Sequence, residues 1–406
     1  LRSTLPILRQ ANFTRYAAGR LATNVGWQML TVAVGWQLYA LTHDPLSLGL
    51  AGLVEFVPFV SLILVGGHIA DHLNRRTILI VSALLECVCA LCLLWFAYRG
   101  IDRTWPIYLA IAVYGSTHAF WAPAMQAFLV NIVPRDDFAP AAAMDSLLRQ
   151  ISVIGAPALG GFVFLYGAHV VYASCAVLFA LTALLTLKID VRLPDTLRSE
   201  LPLRERGHEL LEGLRYVWRS QVVLACLSLD LFAVLLGGAV ALLPIYASDI
   251  LRIGPVGLGV LRSAPAAGAA VVGIVLALRP LRQNAGEWMF GGVAIFGLAT
   301  IVFGLSTSFW LSLIALMVAG AGDMLSVYIR TVLVQLNTPE AIRGRVSAVN
   351  SMFIGASNEL GAFESGLMAS WLGTVRSVVV GGLATLLVVL AWRRWFPGMR
   401  HLPPLR

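Results

Sequence analysis

The chain has 406 residues, of which 59% are hydrophobic and 12% charged, with a formal net charge of +8. Soluble domains carry roughly 25% charged residues, so this composition excludes a water-soluble enzyme and describes a chain that lives mostly in lipid. A nucleic-acid partner is not expected either, because that reading needs basic residues gathered on one soluble face.

Apolar runs of about 20 residues with short polar breaks between them predict spans over 14–41, 46–70, 77–98, 104–131, 138–166, 168–188, 221–249, 255–280, 286–307, 309–336, 345–371 and 374–396. The first and fifth hold several polar residues, which blurs their limits. Basic residues crowd the odd-numbered connections and both tails, among them Arg75, Arg76, Arg135, Arg279, Arg343 and Arg393. The opposite side holds only Arg99, Arg103, Arg252 and Arg376. By the positive-inside rule both termini are cytoplasmic, which requires an even number of spans. No cleavable signal peptide is expected, and the first helix serves as its own insertion signal. Cys87, Cys89, Cys92, Cys175 and Cys226 all fall inside spans, where a small buried apolar role is the expectation; neither a disulfide framework nor a metal site is supported.

One long polar connection, 189–220, separates an N-terminal unit, 1–188, from a C-terminal unit, 221–406. Its second part gathers Leu203, Leu210, Leu211, Leu214, Val217 and Trp218 near one helical face, with charges mostly on the other. That pattern predicts an amphipathic helix on the cytoplasmic surface. The halves also repeat each other. Asp44-Pro45-Leu46-Ser47-Leu48-Gly49 matches Gly254-Pro255-Val256-Gly257-Leu258-Gly259, and the spacing sets Asp145 opposite Asn350, Ser152 opposite Ser357, and His118 opposite Asp323. Such duplication is a habit of transporter folds.

Between the second and third spans the chain reads Gly67-His68-Ile69-Ala70-Asp71-His72-Leu73-Asn74-Arg75-Arg76, or G-x-x-A-D-x-x-x-R-R. The acid suits the positive N-terminus of a neighbouring helix; the arginines suit anionic headgroups and helix C-termini; the small residues permit close helix approach. This stretch resembles the signature loop of the major facilitator superfamily. At the corresponding place in the second half, Leu278-Arg279-Pro280-Leu281-Arg282 keeps the basic charge and loses the acid. The resemblance implies an all-α membrane protein with twelve transmembrane helices in two pseudo-symmetric six-helix bundles. It also implies that Gly67, Asp71, Arg75 and Arg76 form a gating loop, with the acid facing the start of span eleven near Gly344 and Arg345.

Two further stretches narrow the resemblance. Gly155-Ala156-Pro157-Ala158-Leu159-Gly160-Gly161 is similar to the antiporter motif of proton-coupled exporters, with Ala156 where that motif has glycine. A proline among small residues bends a helix and admits close neighbours; a generic kinked helix is the other reading. Thr338-Pro339-Glu340 with Gly344-Arg345-Val346, together with Leu211-Glu212-Gly213-Leu214-Arg215-Tyr216, resembles the enterobactin-exporter-like branch, which holds siderophore and macrolide exporters. The superfamily's R-x-x-x-x-G motif is not visible in 107–131, so Arg20, Arg149 or Arg330 are candidates for the missing positive charge.

Charged residues inside spans are costly unless paired or solvated, and so mark function. Glu55, Asp323 and Glu359 lie nearest the middle of their spans and are the proton-coupling candidates, since a carboxylate kept from water suits loading and release of protons. Arg20, Asn24, Gln28, Asp145, Arg149, Asp230, Arg262, Arg330 and Glu364 are the cavity candidates, with Gln37, Trp27, Trp36 and Trp121 adding polar and aromatic surface. Asp145 and Arg149, four apart, share a helix face and could neutralise each other, as could Asp323 and Arg330, seven apart. His118 is either a proton carrier or a packing residue. Glu86, on a span that is peripheral in this fold, is left out of the mechanism.

The resulting expectation is a proton-coupled exporter of amphiphilic small organic molecules in the bacterial inner membrane, working by alternating access. Its partners are a small-molecule substrate, protons and membrane lipids, it needs no cofactor, and it works as a monomer. An importer of a small metabolite and a lipid flippase of the same fold stay open. Enzymatic chemistry finds no nucleophile elbow, metal spacing or phosphate loop.

Overall fold

The computed structural model describes residues 7, 9–100, 103–190, 203–281 and 283–401. Arg282 and part of the polar connection, 191–202, lie outside the described residues, as do the side chains of Asp71, Arg135 and 203–210. The described structure is helical, without strands: α1 (Ala11–Thr42), α2 (Pro45–His72), α3 (Arg75–Arg99), α4 (Trp105–Ile132), α5 (Phe138–Val163), α6 (Ala168–Leu187), α7 (Leu203–Arg219), α8 (Gln221–Leu236), α9 (Gly254–Leu278), α10 (Ala285–Leu305), α11 (Phe309–Leu336), α12 (Arg343–Leu372) and α13 (Thr374–Trp395).

Nine of the described helical segments are long and apolar enough to cross a membrane; α1, α4 and α12 fall outside that set despite lengths of 32, 28 and 30 residues. Polar content was expected to blur the first and fifth spans. It dilutes the first, fourth and eleventh instead, because α4 carries Ser116, Thr117 and His118 in its middle and α12 carries Asn350, Asn358, Glu359 and Glu364. Three long helices thus keep their polar residues for something other than lipid.

The seventh predicted span is not one helix. It stops at Leu236, and residues 239–250 continue as short 3-10, α and π turns. Gly237 and Gly238 mark the break because neither has room for a side chain: an added Cβ would lie 2.5 Å from the Phe296 ring and 3.1 Å from the Gly361 carbonyl oxygen. Irregular backbone at membrane depth is tolerated where it lines a cavity.

Two compact units emerge: Leu1–Thr42, Val54–Leu203 and Pro255–Gly259 form one, and His43–Leu53, Arg204–Gly254 and Val260–Arg406 the other. The repeated Pro-x-x-x-Gly helix starts therefore each belong to the unit of the opposite half. Residue 49 can pack on α12 because a Cβ on Gly366 would fall 2.6 Å from the Gly49 Cα, and residue 259 packs on α5, where its own Cβ would fall 2.3 Å from the Pro157 carbonyl oxygen. Glycine at these places permits backbone-to-backbone contact, the main source of helix adhesion in lipid.

In the first unit, α1 packs on α5 and α6, and α3 on α4 and α6, around Phe13, Tyr16, Met125 and Phe128. In the second, α10 packs on α11 and α13, and α12 on α8 and α13, around Met289, Phe290, Ile329 and Trp392. Helix α7 docks in the second unit through Leu214, Tyr216 and Val217, which meet Val334, Val346 and Val349. Leu211 and Trp218, expected on that apolar face, are exposed, at 61% and 67%. Its register turns them away from the protein, which suits a helix with a second apolar neighbour such as the headgroup region.

Candidate functional site

The second unit encloses a cavity of about 390 Å³, within the range of small-molecule sites. Five elements build it. The α8 break contributes Gly237 to Ala241, α9 Arg262 and Pro265, α10 Phe296 and Thr300, α11 Leu316, Gly320 and Asp323, and α12 Asn358, Glu359 and Ala362. Asp323 and Glu359, 36 positions apart in sequence, thus meet around one space with Arg262. Helix α2 closes on the same acid from its first turns, since a Cβ on Gly52 would touch the Glu359 carbonyl at 3.0 Å and its Oε2 at 3.4 Å. Two carboxylates, one guanidinium and an aromatic wall can hold an amphiphile and exchange a proton.

The first unit holds a smaller cavity of about 240 Å³, lined by Arg20, Thr23, Asn24, Trp27 and Gln28 from α1, Glu86 from α3, His118 and Trp121 from α4, and Arg149 and Val153 from α5. Arg20 is fixed from two sides. Its Nε lies 3.2 Å from Asp145 Oδ1, and its guanidinium sits 4.7 Å above the Trp121 ring. The Tyr16 hydroxyl donates to the same Asp145 oxygen at 2.9 Å. The expected Asp145–Arg149 pair therefore does not form: Asp145 serves Arg20, and Arg149 is left to the cavity. A cation held over an aromatic face by a carboxylate keeps its position but little net charge. His118 packs among rings, with centroids 5.6 Å from Phe59, 5.7 Å from Trp121 and 6.0 Å from Trp27.

Other candidates have different places. Arg330 donates to Asp230 of α8, and both side chains are buried, so the Asp323–Arg330 pairing expected from spacing is not the one formed. Glu55 belongs to the first unit, and its backbone carbonyl sits against Gly115, where an added Cβ would fall 2.2 Å away. Glu364 is half-buried and does not line the larger cavity. Gln37 accepts from the Tyr172 hydroxyl at 2.5 Å and joins α1 to α6. Trp36 packs edge-on against Phe164. Glu86, passed over in the sequence, is 5% exposed and lines the smaller cavity; only its contact with the α4 residue Thr117 could have signalled that, and spacing along one helix does not show it.

In the gating loop, Asn74 caps α3 by accepting from the Arg76 amide at 3.0 Å. Arg75 donates to the Ala70 carbonyl at 3.2 Å, and Arg76 to the Thr186 and Leu187 carbonyls at the end of α6. Both arginines thus meet carbonyls at helix C-termini, where the dipole favours cations. Gly67 lies inside α2. In α5, Pro157 removes one amide donor within a continuous helix; Gly160 lets Met29 approach, its added Cβ falling 2.9 Å from the Met29 Cα, and Gly161 faces the Pro255 carbonyl at 2.4 Å by the same measure. Gly155 has open space around it.

The two blocks that resembled one exporter branch touch each other. Arg345 pairs with Glu212 at 2.5 Å, the Tyr216 hydroxyl donates to the Asn337 carbonyl, and Gly213 leaves room for the Arg345 backbone. Among the described residues, no group of three or more His, Cys, Asp or Glu could hold a metal ion.

Comparison with known proteins agrees with this architecture. The family described as transmembrane secretion effectors, within the major facilitator superfamily, matches residues 2–399. Macrolide efflux protein A of Streptococcus pyogenes is 23% identical over 388 residues, covering 92% of this chain and 93% of that protein. An enterobactin exporter of Shigella flexneri is 25% identical over 397 residues, covering 95% and 92%. The inward-facing crystal structure of a bacterial homologue of the iron transporter ferroportin superposes with a TM-score of 0.72 at 16% identity, over 95% of this chain and 98% of that one, which establishes a shared fold. With apolar helices of membrane-spanning length and a family match over nearly its whole length, this chain belongs to the transmembrane secretion effectors of the major facilitator superfamily, and is an integral membrane transporter rather than an enzyme.

Proposed function

We propose that this protein is a proton-coupled exporter of amphiphilic small organic molecules, with twelve spans in two six-helix bundles that expose a central site to each side of the bacterial inner membrane in turn. The observation that carries this reading is the 390 Å³ cavity, where Asp323 and Glu359 share space with Arg262 and Phe296. A carboxylate in a water-poor site binds a proton when open to one side and releases it when open to the other. Two carboxylates beside one cation let substrate and proton compete for the same place. The macrolide and enterobactin relatives suggest the size and amphiphilic character of the cargo. Both termini face the cytoplasm, the monomer is the working unit, and the loop of Gly67, Asp71, Arg75 and Arg76 latches the cytoplasmic side.

The test is efflux of a macrolide and of enterobactin from vesicles carrying the purified protein, with and without an imposed pH gradient. Gradient-driven transport should be lost in Asp323→Asn and Glu359→Gln, while exchange of substrate down its own gradient persists. Full gradient-driven transport in both variants would remove the coupling assignment. Unchanged transport in Asp71→Asn would remove the latch.

A further inference from the structure

We infer that Glu86 is a second reversible proton site, placed in the smaller cavity of the first unit; the inference rests on the proton-coupled reading and adds a carboxyl group to it. Glu86 is 5% exposed and lines the 240 Å³ cavity with Arg20, Asn24, His118, Trp121 and Arg149. Its Oε2 has no hydrogen-bond partner among the described residues, and neither does Asn24 Nδ2 across the same space. Its Oε1 has one weak contact, the Thr117 hydroxyl at 3.4 Å. That hydroxyl has a single proton, and the Tyr114 carbonyl at 2.9 Å takes it along the shorter bond. The carboxyl group therefore lacks the two or three donors that an ionised, buried carboxylate requires. It fits the protonated form, whose own O–H can point at the Thr117 oxygen.

A permanently neutral packing group would be walled off from the site. Glu86 is not: it lines the same cavity as Arg20 and Arg149. Arg20 is already matched by Asp145, whereas Arg149 has no ion-pair partner among the described residues. Deprotonation of Glu86 thus balances Arg149 within the cavity, and protonation leaves a positive charge there. The other titratable groups around it are His118 and Tyr114 from α4 and Cys89 on its own helix, with Tyr172 and Cys175 of α6 beside Tyr114. Loading adds one proton from cavity water to a carboxylate oxygen, and release returns it; no other bond changes.

The test is infrared spectroscopy of the purified full-length protein in detergent, titrated from mildly acidic to mildly alkaline pH, with Glu86→Gln as the control. The expected result is a protonated-carboxyl band that is absent in Glu86→Gln and fades as pH rises. Thr117→Val, which keeps the acid and removes its hydroxyl contact, should shift the band without abolishing it. A Glu86 band that is constant across the range, one never seen, or one that Thr117→Val leaves in place overturns the proposal. In vesicles, Glu86→Gln should lower gradient-driven macrolide efflux to the level without a gradient, with exchange retained; an unchanged gradient response also overturns it. The spectroscopic result does not depend on the Asp323 and Glu359 variants, so failure of the coupling reading at those residues is distinguishable.

Discussion

Arg330 of α11 donates to Asp230 of α8, and both side chains are buried, at 3% and 6% exposure. The arginine that shares a helix with Asp323 is thereby committed to another acid. Removing one member leaves the other buried without its counter-charge, which costs about 3–5 kcal/mol. Asp230→Ala should therefore lower the melting temperature of the detergent-solubilised protein sharply. Asp230→Ala combined with Arg330→Met should recover most of the loss, because two apolar side chains need no counter-charge.

Close helix contact at Gly160 and Gly161 leaves no space for a side chain. Gly161→Val places atoms onto the Pro255 carbonyl and Gly160→Val onto Met29, so each should destabilise by about 1–3 kcal/mol or more. Gly155→Ala, in open space, should leave stability unchanged or slightly raised. A melting series across the three variants checks the contrast, and equal losses at Gly155 and Gly161 would count against the contact.

The Arg20, Asp145 and Tyr16 cluster orients a cation over Trp121. Tyr16→Phe removes one hydrogen bond to the carboxylate and should cost about 1–3 kcal/mol. Arg20→Lys loses the planar face and the fork, and should alter Trp121 fluorescence more than Tyr16→Phe does. Comparing both emission spectra with that of Trp121→Phe isolates the contribution of that ring.

Docking of α7 rests on shape more than on charge. The Arg345–Glu212 pair is part-exposed, at 32% and 57%, so Glu212→Ala should cost no more than about 1 kcal/mol. Gly213→Val meets the Arg345 backbone, with an added Cβ 2.8 Å from its carbonyl oxygen, and should loosen the helix. Protease sensitivity within α7 should rise in Gly213→Val and stay near that of the parent in Glu212→Ala.

Much of the fold was legible because its signal is local. Apolar runs of span length located α3, α6 and α11 to within a few residues, since hydropathy and polar breaks act along one segment at a time. The break after Leu236 was not legible: residues 221–249 read as one apolar run, and Gly237 and Gly238 declare their role only when Phe296 and Gly361 press against them. The pairing of charges failed for the same reason. Spacing of four and seven residues proposed Asp145 with Arg149 and Asp323 with Arg330, but partners on other helices offered better geometry in Arg20 and Asp230.

The sequence by itself determined that the chain lives in lipid and which family it resembles, because composition, periodicity and short motifs are one-dimensional properties. Only the tertiary structure decided which acids share a cavity. It brought Glu359 to Asp323 and Arg262, and placed Glu86 in one cavity with Arg149, through contacts between helices that are distant in sequence. Such contacts depend on where glycine lets one backbone touch another, and that is a property of the packed helices together.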